Sequence, residues 1–166
     1  MSNVSSLSFV HKKGLFGDFE NKDENNLIKI KEIININLFQ IVKYKNSNEN
    51  ISNFKIDGLT LSETLKTSNN AFTRVIWMGP DNWYVYSTKN ISDDLKIFNE
   101  QNFAVTNLSQ SRSIIELEGN MVYEVLKKGS PLDINKLKSG ECANTVYNGI
   151  TITLDFISNN PNIIRI

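Results

Sequence analysis

The stretch SRSIIELEGNMVYEVLKKGSPLDI, residues 111–134, reads as a strand, a tight turn and a short helix that stops abruptly. Gly119 and Asn120 lead into NMVYEVLKKG, where Met121, Val122, Val125 and Leu126 recur as one apolar helical face. Gly129 stands where helices commonly end on a left-handed residue, so a positive φ is expected there, and Pro131 prevents continuation. A strand followed closely by such a helix points to an α+β fold. No nucleophile–base pair, metal-ligand cluster or phosphate loop accompanies the unit, which raises the question of what it is for.

Upstream, LIKIKEIININLFQIVKYK (27–45) carries Ile28, Ile30, Ile34, Ile36 and Leu38 at alternate positions, with a slip near Phe39. Period two predicts a strand, and the slip predicts a bulge within it. SNENISNF offers polar caps and a short helix or loop. RVIWMG and WYVYS are two β-rich runs split by Pro80-Asp81-Asn82, a hairpin signal. In NISDDLKIFNEQNF, Ile91, Leu95, Phe98 and Phe103 fall on one helical face, with Ser92 as N-cap. Downstream, ANTVYNGITITLDFI is a second hairpin, its Asn148-Gly149 step a strong type I′ signal. The expected architecture is therefore α+β: antiparallel or mixed sheets with packed helices, built of ferredoxin-like halves.

The 166 residues suffice for one domain with a core, which two subdomains could build. Residues 1–26 read as a polar N-terminal arm, and 27–166 as the α+β domain. Leu15, Phe16 and Phe19 interrupt the arm and need a home, either on a partner or folded back on the chain itself. With 18 basic against 18 acidic residues there is no electrostatic footprint for nucleic acid. No long apolar run or signal-like leader is present, and Cys142 is the single cysteine, so a cytoplasmic location is expected. Asn3, Asn50, Asn90 and Asn107 each open an N-x-S sequon, which means nothing without secretion.

The search for chemistry assigns no catalytic, cofactor-binding or metal-ligating residue. One Cys and one His, Cys142 and His11, cannot make a zinc site. Cys142 reads as a small buried hydrophobe, and His11 lies in the arm, a weak flavin attachment point. Asp93 and Asp94 are paired carboxylates, but acidic residues in a first helical turn complement the helix dipole. Trp77 and Trp83 read as hairpin core, with a partner-contact surface as the alternative. Arg112 reads as an ordinary strand residue, with an inter-subunit ion pair as the alternative. No G-x-G-x-x-G follows a strand.

Three blocks, WMGPDNWYVYS, VTNLSQSRSIIELEGNMVYEVLKKGSPLDI and GECANTVYNGITITL, resemble the gamma subunit of heterotetrameric sarcosine oxidase. The matching positions are Gly79, Pro80, Asp81 and Trp83; Leu108, Ser109, Arg112 and Gly119; Leu126, Gly129, Pro131, Leu132 and Asp133; and Gly140, Cys142 and Thr145. The likeness runs from about residue 27 onward and is shared more loosely with the folate-binding T-protein domain of glycine cleavage. Two departures stand out: Asn107 replaces the usual Asp, and NPNIIRI follows the last hairpin in place of a further strand and C-terminal helix. The resemblance implies a folate-binding T-protein-like domain that carries no cofactor of its own. It implies alpha, beta and delta partner subunits holding FAD, FMN, NAD and tetrahydrofolate. Their joint reaction is oxidative demethylation of sarcosine to glycine, hydrogen peroxide and a one-carbon unit. A folate-binding aminomethyltransferase-like protein and a standalone binding module are the other readings. On the first reading the strand–turn–helix is a scaffold for packing and assembly.

Overall fold

A computed structural model describes residues 7–9, 14–17, 23 and 27–166. Its strands, in chain order, are β1 (Gly14–Gly17), β2 (Leu27–Ile33), β3 (Asn37–Lys43), β4 (Lys55–Ile56), β5 (Leu59–Thr60), β6 (Thr67–Asn69) and β7 (Thr73–Gly79). There follow β8 (Asn82–Ser87), β9 (Phe103–Asn107), β10 (Ile114–Glu118), β11 (Cys142–Tyr147), β12 (Ile150–Asn159) and β13 (Asn162–Arg165). Helix α1 (Ser92–Leu95) has four residues and α2 (Val122–Lys127) has six.

This corrects the expected fold class. Of the described residues 46% are strand and 11% helical, with antiparallel sheets, and the fold is neither a set of ferredoxin-like halves with packed helices nor a T-protein fold. The helix expected over 90–103 ends after Leu95, and an asparagine beyond its end takes over the backbone. Asn99 Oδ1 accepts from the Asn102 N–H at 3.0 Å. Such bonds give the backbone an alternative to the helical ladder. Freed from the helix, Phe98 and Phe103 meet Phe54, with centroids 4.8–5.1 Å apart across the three pairs.

The chain divides into two compact units, one spanning Asn35–Arg112 and the other formed by the described residues before 35 together with Ser113–Ile166. The division falls inside the run read as one bulged strand. β2 and β3 belong to different sheets, and Asn35, with φ 58°, marks the break. The slip near Phe39 is no bulge: Phe39 pairs in register with Val85 and Asn107.

The first unit holds a sheet of order β6-β7-β8-β3-β9 and the small β4–β5 ladder. Its core joins Ile41, Val75, Trp83 and Val85 of the sheet to Phe54, Ile56, Leu61, Ile91, Leu95, Phe98 and Phe103. The expected β7–β8 hairpin is present, turning at Pro80-Asp81 with Asp81 at φ 56° and a bulge between Trp77 and Gly79.

The second unit is a sheet of order β1-β2-β10-β13-β12-β11. Alternation puts Ile28, Leu117, Leu154, Phe156 and Ile164 on one face, where they share a core with Val122 and Leu126 of α2. In the closing segment NPNIIRI, β13 lies between β10 and β12, and Ile164 is fully buried. β1 pairs antiparallel with β2, and Phe16 packs against this core, so the backbone of 14–17 folds back on its own chain. Phe19 lies outside the described residues.

Gly129 does not have the positive φ expected of it. It is small for another reason: a Cβ built there would lie 2.6 Å from Cε2 of Tyr147. The β11–β12 turn does follow expectation, with Asn148 at φ 47° and Gly149 at φ 86°, both left-handed as a type I′ turn requires.

Candidate functional site

Two polar clusters arise where neighbouring elements bring charges together. In the second unit the strands turn their charged residues away from the core. Lys29 stands opposite Glu118 and Lys31 opposite Glu116 in the β2–β10 register, with Nζ–O distances of 3.2 and 2.6 Å. Glu116 is also opposite Arg165, whose Nε donates to its Oε2 at 2.8 Å. Glu116 is buried, and burial, the largest single influence, opposes its ionisation. The bonds and charges of Lys31 and Arg165 together outweigh that and hold its carboxyl below the usual glutamate range. Directly opposed charges of this kind stabilise register.

In the first unit Asp57 sits at φ 48° in the β4–β5 turn. Its Oδ2 accepts from Asn70 Nδ2 at 2.9 Å and Thr73 Oγ1 at 2.8 Å, and Lys89 Nζ lies 3.5 Å from Oδ1. The bonds from Asn70 and then Thr73 do most to hold its carboxyl below the usual aspartate range; desolvation opposes them and Lys89 adds to them. Thr73 shares a bond with the buried Ser87 hydroxyl at 2.8 Å, and the Asp57 N–H donates to Asp94 Oδ2 at 2.7 Å. The sequence reading missed this group. Its members come from four separate segments, and no spacing signals them.

Each carboxylate of these clusters accepts from partners within its own unit. The arrangement can hold strands in register and pin turns. Among the described residues no group of three or more His, Cys, Asp and Glu could hold a metal ion.

The residues singled out in the sequence are dispersed. Asp94 serves the Asp57 turn, while Asp93 pairs with Lys96 at 2.6 Å on the surface. Cys142 is fully buried at the start of β11. His11 lies outside the described residues. Trp77 and Trp83 face each other across the hairpin; Trp83 is core, its Nε1 donating to the Ser62 carbonyl at 2.8 Å, and Trp77 is half-buried against that core. Arg112 is not a strand residue: it precedes β10, is exposed, and donates to the Ser111 carbonyl at 3.1 Å. Asn50, Asn90 and Asn107 of the sequons each accept from the serine N–H two residues on, at 3.0 Å. These are Asx turns. An Asp at 107 could accept that bond equally well, so the departure from the resembled pattern costs the turn nothing.

The blocks quoted above turn out to be joints. Ser109 Oγ accepts from the Leu38 N–H at 2.9 Å, fastening the end of β9 to β3. Ser130 Oγ and Thr145 Oγ1 are 3.0 Å apart, and the Asn148 N–H donates to the Gly129 carbonyl at 2.9 Å. With Tyr147 over Gly129, and its hydroxyl 3.3 Å from the Val125 carbonyl, these contacts weld the end of α2 to β11.

No family model matches this chain, and no curated protein does. Among solved structures it is similar to a chain of the heterotetrameric sarcosine oxidase from Corynebacterium sp. U-96 in complex with pyrrole 2-carboxylate. The TM-score is 0.73 at 20% identity, over 86% of this chain and 75% of that one. The two chains share a fold. Among the described residues no helix is long and apolar enough to cross a membrane.

Proposed function

We propose that this chain is a non-catalytic, gamma-type subunit of a heterotetrameric sarcosine oxidase, working in assembly rather than in the chemistry. The fold likeness to a chain of such a complex, over most of both chains, carries the reading. The sequence blocks around Gly79–Trp83, Leu108–Asp133 and Gly140–Thr145 support it independently of the fold. The site geometry supports it too: the polar clusters are internally committed, and the quoted blocks form joints between strands and turns. On this reading alpha, beta and delta chains carry FAD, FMN, NAD and tetrahydrofolate, and the complex converts sarcosine to glycine, hydrogen peroxide and a one-carbon unit.

The test is affinity purification of the tagged full-length chain from its source cell. Two larger flavin-bearing chains and one small chain in equal amounts, with sarcosine-dependent peroxide production, are the expected result. A chain that purifies alone, or with proteins lacking flavin, overturns the proposal.

A further inference from the structure

Two turns in the chain share one backbone. Asp57-Gly58 joins β4 to β5, where Ile56 faces Leu59, with φ 48° and 80°. Asn148-Gly149 joins β11 to β12, where Tyr147 faces Ile150, with φ 47° and 86°. Both are two-residue left-handed turns, for which Asp-Gly and Asn-Gly are favoured pairs. Their side chains fare differently. The Asp57 carboxylate is charged at neutral pH and pinned by Asn70, Thr73 and Lys89. The Asn148 side chain is exposed, and among the described residues its carboxamide has no hydrogen-bond partner. The Gly149 N–H, at the tip, lies outside the β11–β12 ladder.

We infer that Asn148 is a self-modification site, at which the folded chain slowly converts asparagine to aspartate and isoaspartate. Gly149 N, losing its proton, forms a bond to Asn148 Cγ. The Cγ–Nδ2 bond breaks, and Nδ2 leaves as ammonia with that proton. Water then opens the five-membered imide at one carbonyl or the other, and no oxidant or reductant is needed. The step asks for an uncharged amide and for a backbone nitrogen with no side chain crowding it. Asn148 is the one asparagine of the sequence followed by glycine. Asn50, Asn90 and Asn107 precede Ile, Ile and Leu, and their side-chain oxygens are held in Asx turns. Asp57 offers a carboxylate, which resists attack by nitrogen. A hairpin tip opens locally at small cost, so the turn can leave its left-handed conformation to react. Isoaspartate then routes the main chain through the side-chain carbon, adding one atom to a two-residue turn. That lengthening loosens the Asn148 N–H bond to the Gly129 carbonyl, and with it the joint between α2 and β11.

The experiment incubates the full-length chain at mildly alkaline pH, folded and in urea, and follows each asparagine peptide over time by mass spectrometry. In the folded chain the Asn148 peptide should gain acid and isoacid forms about tenfold or more faster than the peptides holding Asn90 and Asn107. Its rate should lie within about tenfold of its rate in urea, as a cheaply opened turn allows. The aged chain should melt below the fresh one. Asn148→Gly, which keeps the left-handed turn without an amide, should hold its midpoint over the same period. An Asn148 that reacts in urea and stays intact in the folded chain shows that the hairpin shields it and overturns the inference. Conversion with an unchanged midpoint overturns the loosening of the joint. A midpoint that falls at the same pace in Asn148→Gly assigns the ageing to other residues and overturns it too.

Discussion

The two units solve the same problem with different materials. Each must cover one face of an antiparallel sheet. The second does so with a short helix, whose Val122 and Leu126 are buried over strand residues that are aliphatic apart from Phe156. The first has almost no helix and closes its core with aromatic rings, Phe54, Phe98 and Phe103, delivered by loops and the start of β9. The lesson concerns apolar periodicity. In α2 the spacing of Met121, Val122, Val125 and Leu126 describes a helix that exists. In 90–103 the similar spacing of Ile91, Leu95, Phe98 and Phe103 describes residues that reach one core by another route. What separates the cases is the chain between the apolar residues: α2 continues through Tyr123 and Glu124, whereas beyond α1 the Asn99 side chain captures the backbone at Asn102.

The sharpest way to break the comparison is to remove an aromatic ring. Phe103→Ala should cost about 3–5 kcal/mol, because the site is closed by two neighbouring rings that cannot easily collapse. Both tryptophans lie in this unit, so tryptophan fluorescence during urea unfolding reads the loss directly. Its aliphatic counterpart, Ile164→Ala in the central strand β13, should cost about 2–4 kcal/mol by circular dichroism. A negligible cost there would show that the closing strand contributes little to its sheet.

Electrostatics sharpen the contrast next. Glu116→Gln leaves Lys31 and Arg165 without their shared carboxylate and should cost about 1–3 kcal/mol at pH 7. Because its carboxyl is held below the ordinary glutamate value of 4.5, its contribution is fully present above that pH. It is lost as the pH falls through the lowered value in the folded chain. Melting curves from pH 7 downward should therefore converge for wild type and variant on the acid side. Parallel curves would remove Glu116 from the account.

Smaller effects test the joints. Gly129→Ala should cost about 1–3 kcal/mol through contact with the Tyr147 ring, and much of that should return in Gly129→Ala with Tyr147→Leu. Without that rescue, backbone conformation rather than the ring would explain the glycine. Asn148→Ala, at a left-handed turn position, should cost about 1 kcal/mol, and Asn148→Gly close to nothing, both by thermal melting.

The sequence by itself determined the local features whose causes are local. The hairpin at Pro80-Asp81, the type I′ turn at Asn148-Gly149, the apolar face of α2 and the buried state of Trp83 all follow from residues a few positions apart. Tertiary structure decided the rest. Only it could assign β2 and β3 to different sheets, because alternation of period two is the same on either side of Asn35. Only it could insert NIIR between β10 and β12, since a four-residue strand is defined by its neighbours rather than by its own pattern. The ion pairs of Glu116 and the network around Asp57 were invisible for the same reason. Their members are separated by tens of residues, and a charge acquires a partner only when register brings one opposite it.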